Sequence, residues 1–95
     1  MIENLHKVFE SRVRLGLMSI LMVNDSVDFN SLKETLDVTD GNLASHLIAL
    51  EKKELILVSK EFVGRKPKTS YQVTALGKQL FKQHLAALEK LINGN

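Results

Sequence analysis

The chain has no cysteine and no tryptophan, and only one proline, one tyrosine and four phenylalanines in 95 residues. Without cysteine there are no disulfides, thiolate metal sites or thiol nucleophiles, and a reducing, cytoplasmic setting is the expectation. Few aromatics leave Leu, Ile and Val to fill the interior, and a hydrophobic content of 44% suffices for one packed domain over 1–95. No apolar run approaches the ~20 residues needed to span a bilayer. The opening Met1-Ile2-Glu3-Asn4-Leu5 lacks the basic start and apolar stretch of a signal peptide. Enzyme chemistry finds no support either. There is no glycine-rich phosphate loop, no serine-centred elbow and no pair of carboxylates placed for a cleft, so no catalytic residue and no cofactor is assigned. His6, His46 and His84 lie far apart in sequence, and no metal site is expected of them. Only His6 and His84 are placed to meet, across the two ends of the chain.

Charge is unevenly spread. Residues 1–38 carry four basic and six acidic groups, whereas residues 60–68 carry Lys60, Arg65, Lys66 and Lys68 against Glu61 alone. Such a cluster is either a solvated turn or the footprint of a polyanion.

Residues 3–9 read as a short N-terminal helix with Leu5, Val8 and Phe9 on one face. Ser11 caps a second helix, Arg12 to Val23, whose broad apolar surface implies contacts on more than one side. Asn24-Asp25-Ser26 is a turn, and Val27-Asp28-Phe29 a short extended piece. Asn30 then caps a brief helix carrying Leu32 and Leu36, which Asp37 ends. Thr39 caps the next helix, about 39–53: its hydroxyl is placed to accept the N–H of Asn42, Val38 and Leu43 form a hydrophobic staple, and Asp40 complements the helix dipole. Leu43, Leu47 and Leu50 form its core stripe. After Glu54 the pattern turns β-rich. Leu55 to Phe62 and Thr69 to Val73 predict a hairpin with the six residues 63–68 as its loop. Thr74 caps a last helix, Ala75 to Ile92, before the Asn93-Gly94 stop.

This order, with only Leu36-Asp37-Val38-Thr39 between two helices, is a helix-turn-helix followed directly by a basic hairpin. The expected fold is mainly α with a small antiparallel β-hairpin, a winged helix-turn-helix of the α+β class with a core at about 11–77. With the leucine stripe turned inward, Gly41, Asn42, Ser45, Ala49 and Lys52 face outward and His46 lies at the flank. Small polar residues there suit close approach to a major groove: Asn42 can bond adenine in both directions, and Ser45 several bases. In the hairpin, Arg65 suits a narrow minor groove, and Lys66 and Lys68 suit phosphates.

The stretch Val13 to Gly77 resembles the MarR/ArsR-like winged-helix regulators, most closely a compact stand-alone branch. The matching residues are Val13-Arg14-Leu15, Phe29-Asn30-Ser31-Leu32, Val38 through Leu47, Lys60 through Tyr71, and Val73-Thr74. It departs at Arg12, where such proteins often carry proline. The resemblance implies a dimeric transcription factor on double-stranded DNA, and it adds Asn30, Ser31, Thr39, Asp40 and Thr69 to the DNA-binding set. A homodimer interface is expected from Leu5, Val8, Phe9, Leu80, Phe81, Leu85, Leu88, Leu91 and Ile92, because the last helix carries more apolar surface than one small core covers. The competing reading of these residues is that both ends close the monomer core. No small-molecule effector is identifiable. The alternative function is a winged-helix protein-interaction module that does not touch DNA.

Overall fold

In the computed structural model, which describes residues 2–94, a helical layer packs on one face of a small sheet. Helix α1 (Arg12–Met22) starts where the Ser11 hydroxyl accepts the Arg14 N–H. Its broad apolar face is explained by its neighbours: it touches the N-terminal turn, α2 (Phe29–Leu36), α3 (Asp40–Lys52) and the central strand of the sheet. A Cβ on Gly16 would come within 2.8 Å of a Leu36 methyl, so α1 and α2 approach closely at that point. Helix α2 begins two residues earlier than a cap at Asn30 predicts. Asp28 is the N-cap residue and the Ser31 hydroxyl donates to its carboxylate, so Asn30 falls inside the first turn.

Asp37 ends α2 in the left-handed region (φ 53°), and two residues later Thr39 caps α3 by accepting the Asn42 N–H at 3.2 Å. Lys33 and the Asp40 carboxylate pair at 2.8 Å across this turn, an exposed contact worth at most about 1 kcal/mol. Leu43, Leu47 and Leu50 are buried, as their spacing predicts. The helix closes without glycine: Glu54 takes a φ of 60°, its N–H bonds the Glu51 carbonyl, and the Leu55 N–H reaches back to Leu50. Those paired bonds and the burial of Leu50 beside Leu55 form a Schellman cap, which offsets the cost of a side chain in that backbone region.

The hairpin differs from the six-residue loop expected. Strands β2 (Ile56–Val63) and β3 (Lys66–Val73) run to a two-residue turn, Gly64-Arg65. Gly64 alone has positive φ (68°), the pattern of a type II′ turn. Pro67 is tolerated in β3 because Val63 and Lys66 form the closing hydrogen-bonded pair. Phe62 and Pro67 are then a non-bonded pair, and the missing N–H faces away from β2. Strand β1 (Val27–Asp28) covers β3 only at Tyr71 and Ser70, so that edge is open at Pro67.

Residues 3–9 do not form the expected helix; only Lys7–Phe9 make a 3₁₀ turn. Seven residues are too few to sustain a helix alone, and the Phe9 side chain instead enters the core edge-on to Phe81 at 5.1 Å and to His84 at 5.4 Å. Helix α4 (Ala75–Asn93), capped by Thr74 and ended at Gly94 in the left-handed region, contributes Phe81 to the same core. Its later residues run on past that core, and the domain is 53 Å long but only 25 by 21 Å across. Among the described residues no helix is long and apolar enough to cross a membrane.

His84 is buried, and its Nδ1 accepts the backbone N–H of His6 at 2.9 Å while the His6 ring meets Gln83. Burial, then the nearby His6, push the His84 pKa below the usual 6.5, against a smaller opposing pull from Glu10. On acidification the unfolded chain therefore takes up the proton first. Stability is full above about pH 6.5 and is lost as pH falls below that value, by up to about 1.4 kcal/mol per pH unit for each such histidine. His46, also depressed, acts in the same direction. Urea unfolding at about pH 7.5 and about pH 5.5 is expected to show the lower midpoint in acid; equal midpoints would mean that neither histidine is held neutral by the fold.

Candidate nucleic-acid interface

Helix α3 presents Gly41, Ser45, Ile48 and Lys52 along one line, with Asn42 beside them; all are exposed, and Ala49 is half-buried. A Cβ on Gly41 would meet nothing within 4 Å, so the start of the helix is open to close approach from outside. Ile48, 63% exposed, is an apolar member of this face that the sequence reading passed over, since isoleucine in a helix reads as core. Its signal was its position seven residues after Gly41, on the polar line. A thymine methyl is a natural neighbour for such a side chain.

At the flank, His46 is half-buried, and its Nδ1 accepts from Arg14 Nε at 2.9 Å. Burial and then the Arg14 charge hold its pKa below the usual value. The Asp40 carboxylate is engaged by Lys33, and Ser31 by Asp28, whose own pKa is lowered first by that hydroxyl. Asn30, exposed in the first turn of α2, lines a cleft of about 240 Å³ with Pro67, Lys68 and Thr69. Two parts of the expected set, from the α2 start and from the wing, are thus brought together.

The strand register divides the basic cluster between two faces. Lys66 and Lys68 stand with Val63 and Glu61 on the outer face, Glu61 directly opposite Lys68. Lys60 and Thr69 stand on the face that carries Ile56, Val58 and Tyr71 to the core. There Lys60 lines a groove of about 300 Å³ with Ala44, Ile48 and Glu51 of α3. Arg65 sits in the turn itself.

A helix-turn-helix whose second helix is flanked by a cationic hairpin is therefore in place, and residues 13–92 match the family described as the winged helix DNA-binding domain. The chain belongs to that family. This winged-helix domain is 34% identical over 85 residues to an uncharacterised protein of Methanocaldococcus jannaschii, covering 90% of this chain and 92% of that one. In structure it is similar to a transcriptional regulator homologue from Pyrococcus horikoshii OT3, with a TM-score of 0.85 and 32% identity over 92% of this chain and 86% of the other. It is also similar to YtfH of Salmonella typhimurium, assigned as a transcriptional regulator, with a TM-score of 0.73 and 26% identity over 92% and 78% of the two chains.

Within the winged-helix domain, the residues expected at a dimer interface fall into two groups. Phe9 and Phe81 lie inside the protomer, and Val8 and Leu80 pack against the same core, which accounts for their apolar character without a partner. Leu85, Leu91 and Ile92 are exposed and Leu88 and Leu5 half-buried, outside that core. His6 and His84 do meet, but one ring nitrogen of each is taken by a hydrogen bond. Among the described residues no three His, Asp or Glu side chains converge to hold a metal ion.

Proposed function

We propose that this winged-helix domain is a DNA-binding transcriptional regulator that lays α3 in the major groove and its β2–β3 wing on the adjacent minor groove and backbone. One observation carries the reading: the exposed, small and polar line on α3 lies beside a wing that bears Lys60, Arg65, Lys66 and Lys68. Asn42 and Ser45 read base edges, with Ile48 as an apolar contact. Asn30, Thr69, His46 and the wing cations hold the backbone, which sets the register without carrying sequence information. Thr39 and Asp40 serve chiefly the helix start, through the cap and the Lys33 pair.

The test is Asn42→Ala against selected and random duplexes. Loss of a bidentate adenine contact is expected to cost about 1–3 kcal/mol on the selected site and little on random DNA. Equal losses on both would reassign Asn42 to the backbone.

The functional unit is a homodimer in the cytoplasm, paired through Leu85, Leu88, Leu91 and Ile92 of α4 with Leu5 beside them, so that two recognition helices meet two half-sites. Sedimentation at micromolar concentration is expected to find the dimer, and Leu88→Glu the monomer. A wild-type monomer would take α4 out of the interface. The reading as a protein-interaction module draws on a different observation, the exposure of Leu57, Phe62 (74%) and Val63 (60%) on β2. It predicts no retention of random duplex at low salt, where the DNA-binding reading predicts clear retention.

A further inference from the structure

Helices α1 and α3 share a polar contact that neither the core nor the helix caps require. Arg14 Nε donates to His46 Nδ1 at 2.9 Å, while Nη1 of the same guanidinium donates to the Val8 carbonyl at 3.2 Å. The fork therefore ties the N-terminal segment, α1 and α3 to one another. Guanidinium is a donor only, so Nδ1 must be the bare, accepting nitrogen, and the ring hydrogen resides on Nε2. A second ring proton would set N–H against N–H, and burial with the Arg14 charge opposes it.

The position of Nε2 follows by elimination. It makes no hydrogen bond within the described residues, yet no buried side-chain nitrogen there lacks a partner. The Nε2–H therefore reaches the surface. It does so on α3, one turn after Asn42 and next to Ser45, at the edge of the face assigned to the major groove rather than at its centre. Phosphates line the edges of a groove, and a phosphate oxygen only accepts.

We infer that Arg14 is a positioning residue for DNA: by donating to His46 Nδ1 it fixes the imidazole in the Nε2–H tautomer and makes His46 a one-directional donor to a DNA phosphate oxygen. The inference rests on the DNA-binding reading and extends it to a residue on α1, behind the recognition helix. It has a signature of its own. A neutral donor displaces no counterion, so its loss weakens binding to every sequence alike and leaves the salt slope unchanged, unlike loss of a wing cation.

The test uses the full chain with ¹⁵N-labelled histidine, first alone and then titrated with selected and random duplexes. Wild-type protein is expected to show His46 protonated at Nε2 and bare at Nδ1. Arg14→Lys, which keeps the charge but loses the planar fork, is expected to release the tautomer preference. It should also lower affinity for both duplexes by about fivefold to tenfold, the scale of one hydrogen bond, at constant salt slope. In a His46→Ala background the same change should cost nothing further, and His46→Gln, which retains an N–H, should recover part of the loss. Should Arg14→Lys fail to fold by circular dichroism, the tautomer of the wild type and the His46→Ala and His46→Gln pair decide alone. A proton on Nδ1 in the wild type, or an Arg14→Lys loss undiminished without His46, overturns the proposal. Wild-type protein that binds no duplex at low salt overturns it through the DNA-binding reading instead, and the unchanged tautomer would tell the two failures apart.

Discussion

Gly77→Ala is expected to destabilise the domain by roughly 3 kcal/mol or more, lowering its melting temperature by roughly 12–24 °C at this chain length. A Cβ there would stand 2.1 Å from the Leu55 carbonyl oxygen and 2.9 Å from a Val73 methyl. The valine methyl can give way, but the carbonyl cannot, because it is backbone and already accepts the Thr74 N–H at 3.1 Å. The same corner is held by the Thr74 hydroxyl, which donates to the Glu54 carbonyl and accepts the Gly77 N–H. Relief of the clash therefore means pulling the first turn of α4 off the β2 start and breaking these bonds together. Thermal unfolding followed by circular dichroism measures the effect. Gly41→Ala is the control: it makes the same chemical change inside a helix, in open space, and should be neutral or slightly stabilising. A Gly77→Ala protein melting within a few degrees of wild type would mean that α4 is not seated on β2 in this way.

Removing Arg65, Lys66 and Lys68 together, each to alanine, is expected to leave the fold intact and to weaken DNA binding on the order of 10²–10³-fold at about 0.1 M salt. The three side chains are exposed and none belongs to the hydrophobic core, so the interior stays filled without them. Each cation that neutralises a phosphate contributes roughly 0.9 to the slope of log K against log salt, so the slope should fall by roughly 2 to 3, and equally on selected and random duplexes. Lys60→Ala separates the faces of the wing. It lies on the side of β2 that borders α3, and a larger single effect there than at Lys66 or Lys68 would place that side against the DNA. A triple variant with an unchanged salt slope would remove the wing from the DNA contact and favour the reading as a protein-interaction module.

How much of this was legible beforehand varied with the range of the forces involved. Ser11, Thr39 and Thr74 were readable as caps because the bond each accepts comes from a backbone N–H three residues on. The leucine stripe of α3 was readable because helical spacing alone places Leu43, Leu47 and Leu50 on one side. The wing was legible as a basic hairpin but not in extent. Lys66, Pro67 and Lys68 have poor strand propensity, and they become β3 only because Val63, Phe62 and Glu61 pair with them. Ile48 was missed on the helix side although its spacing from Gly41 puts it on the polar line, because an isoleucine in a helix reads as core until its neighbours are seen.

The sequence by itself determined the order of elements from Ser11 onward, the starts of α1, α3 and α4, the inward stripe of α3 and the concentration of cations after it, because each depends on residues a few positions apart. Only the tertiary structure decided that Phe9 belongs inside against Phe81 and His84 and not in an N-terminal helix. The same holds for the closing of the hairpin at Gly64-Arg65, the division of the wing cations by face, and the contact between Arg14 and His46. Each of those contacts joins residues distant along the chain or set by strand register, and its energy exists only once the partner has been brought into place.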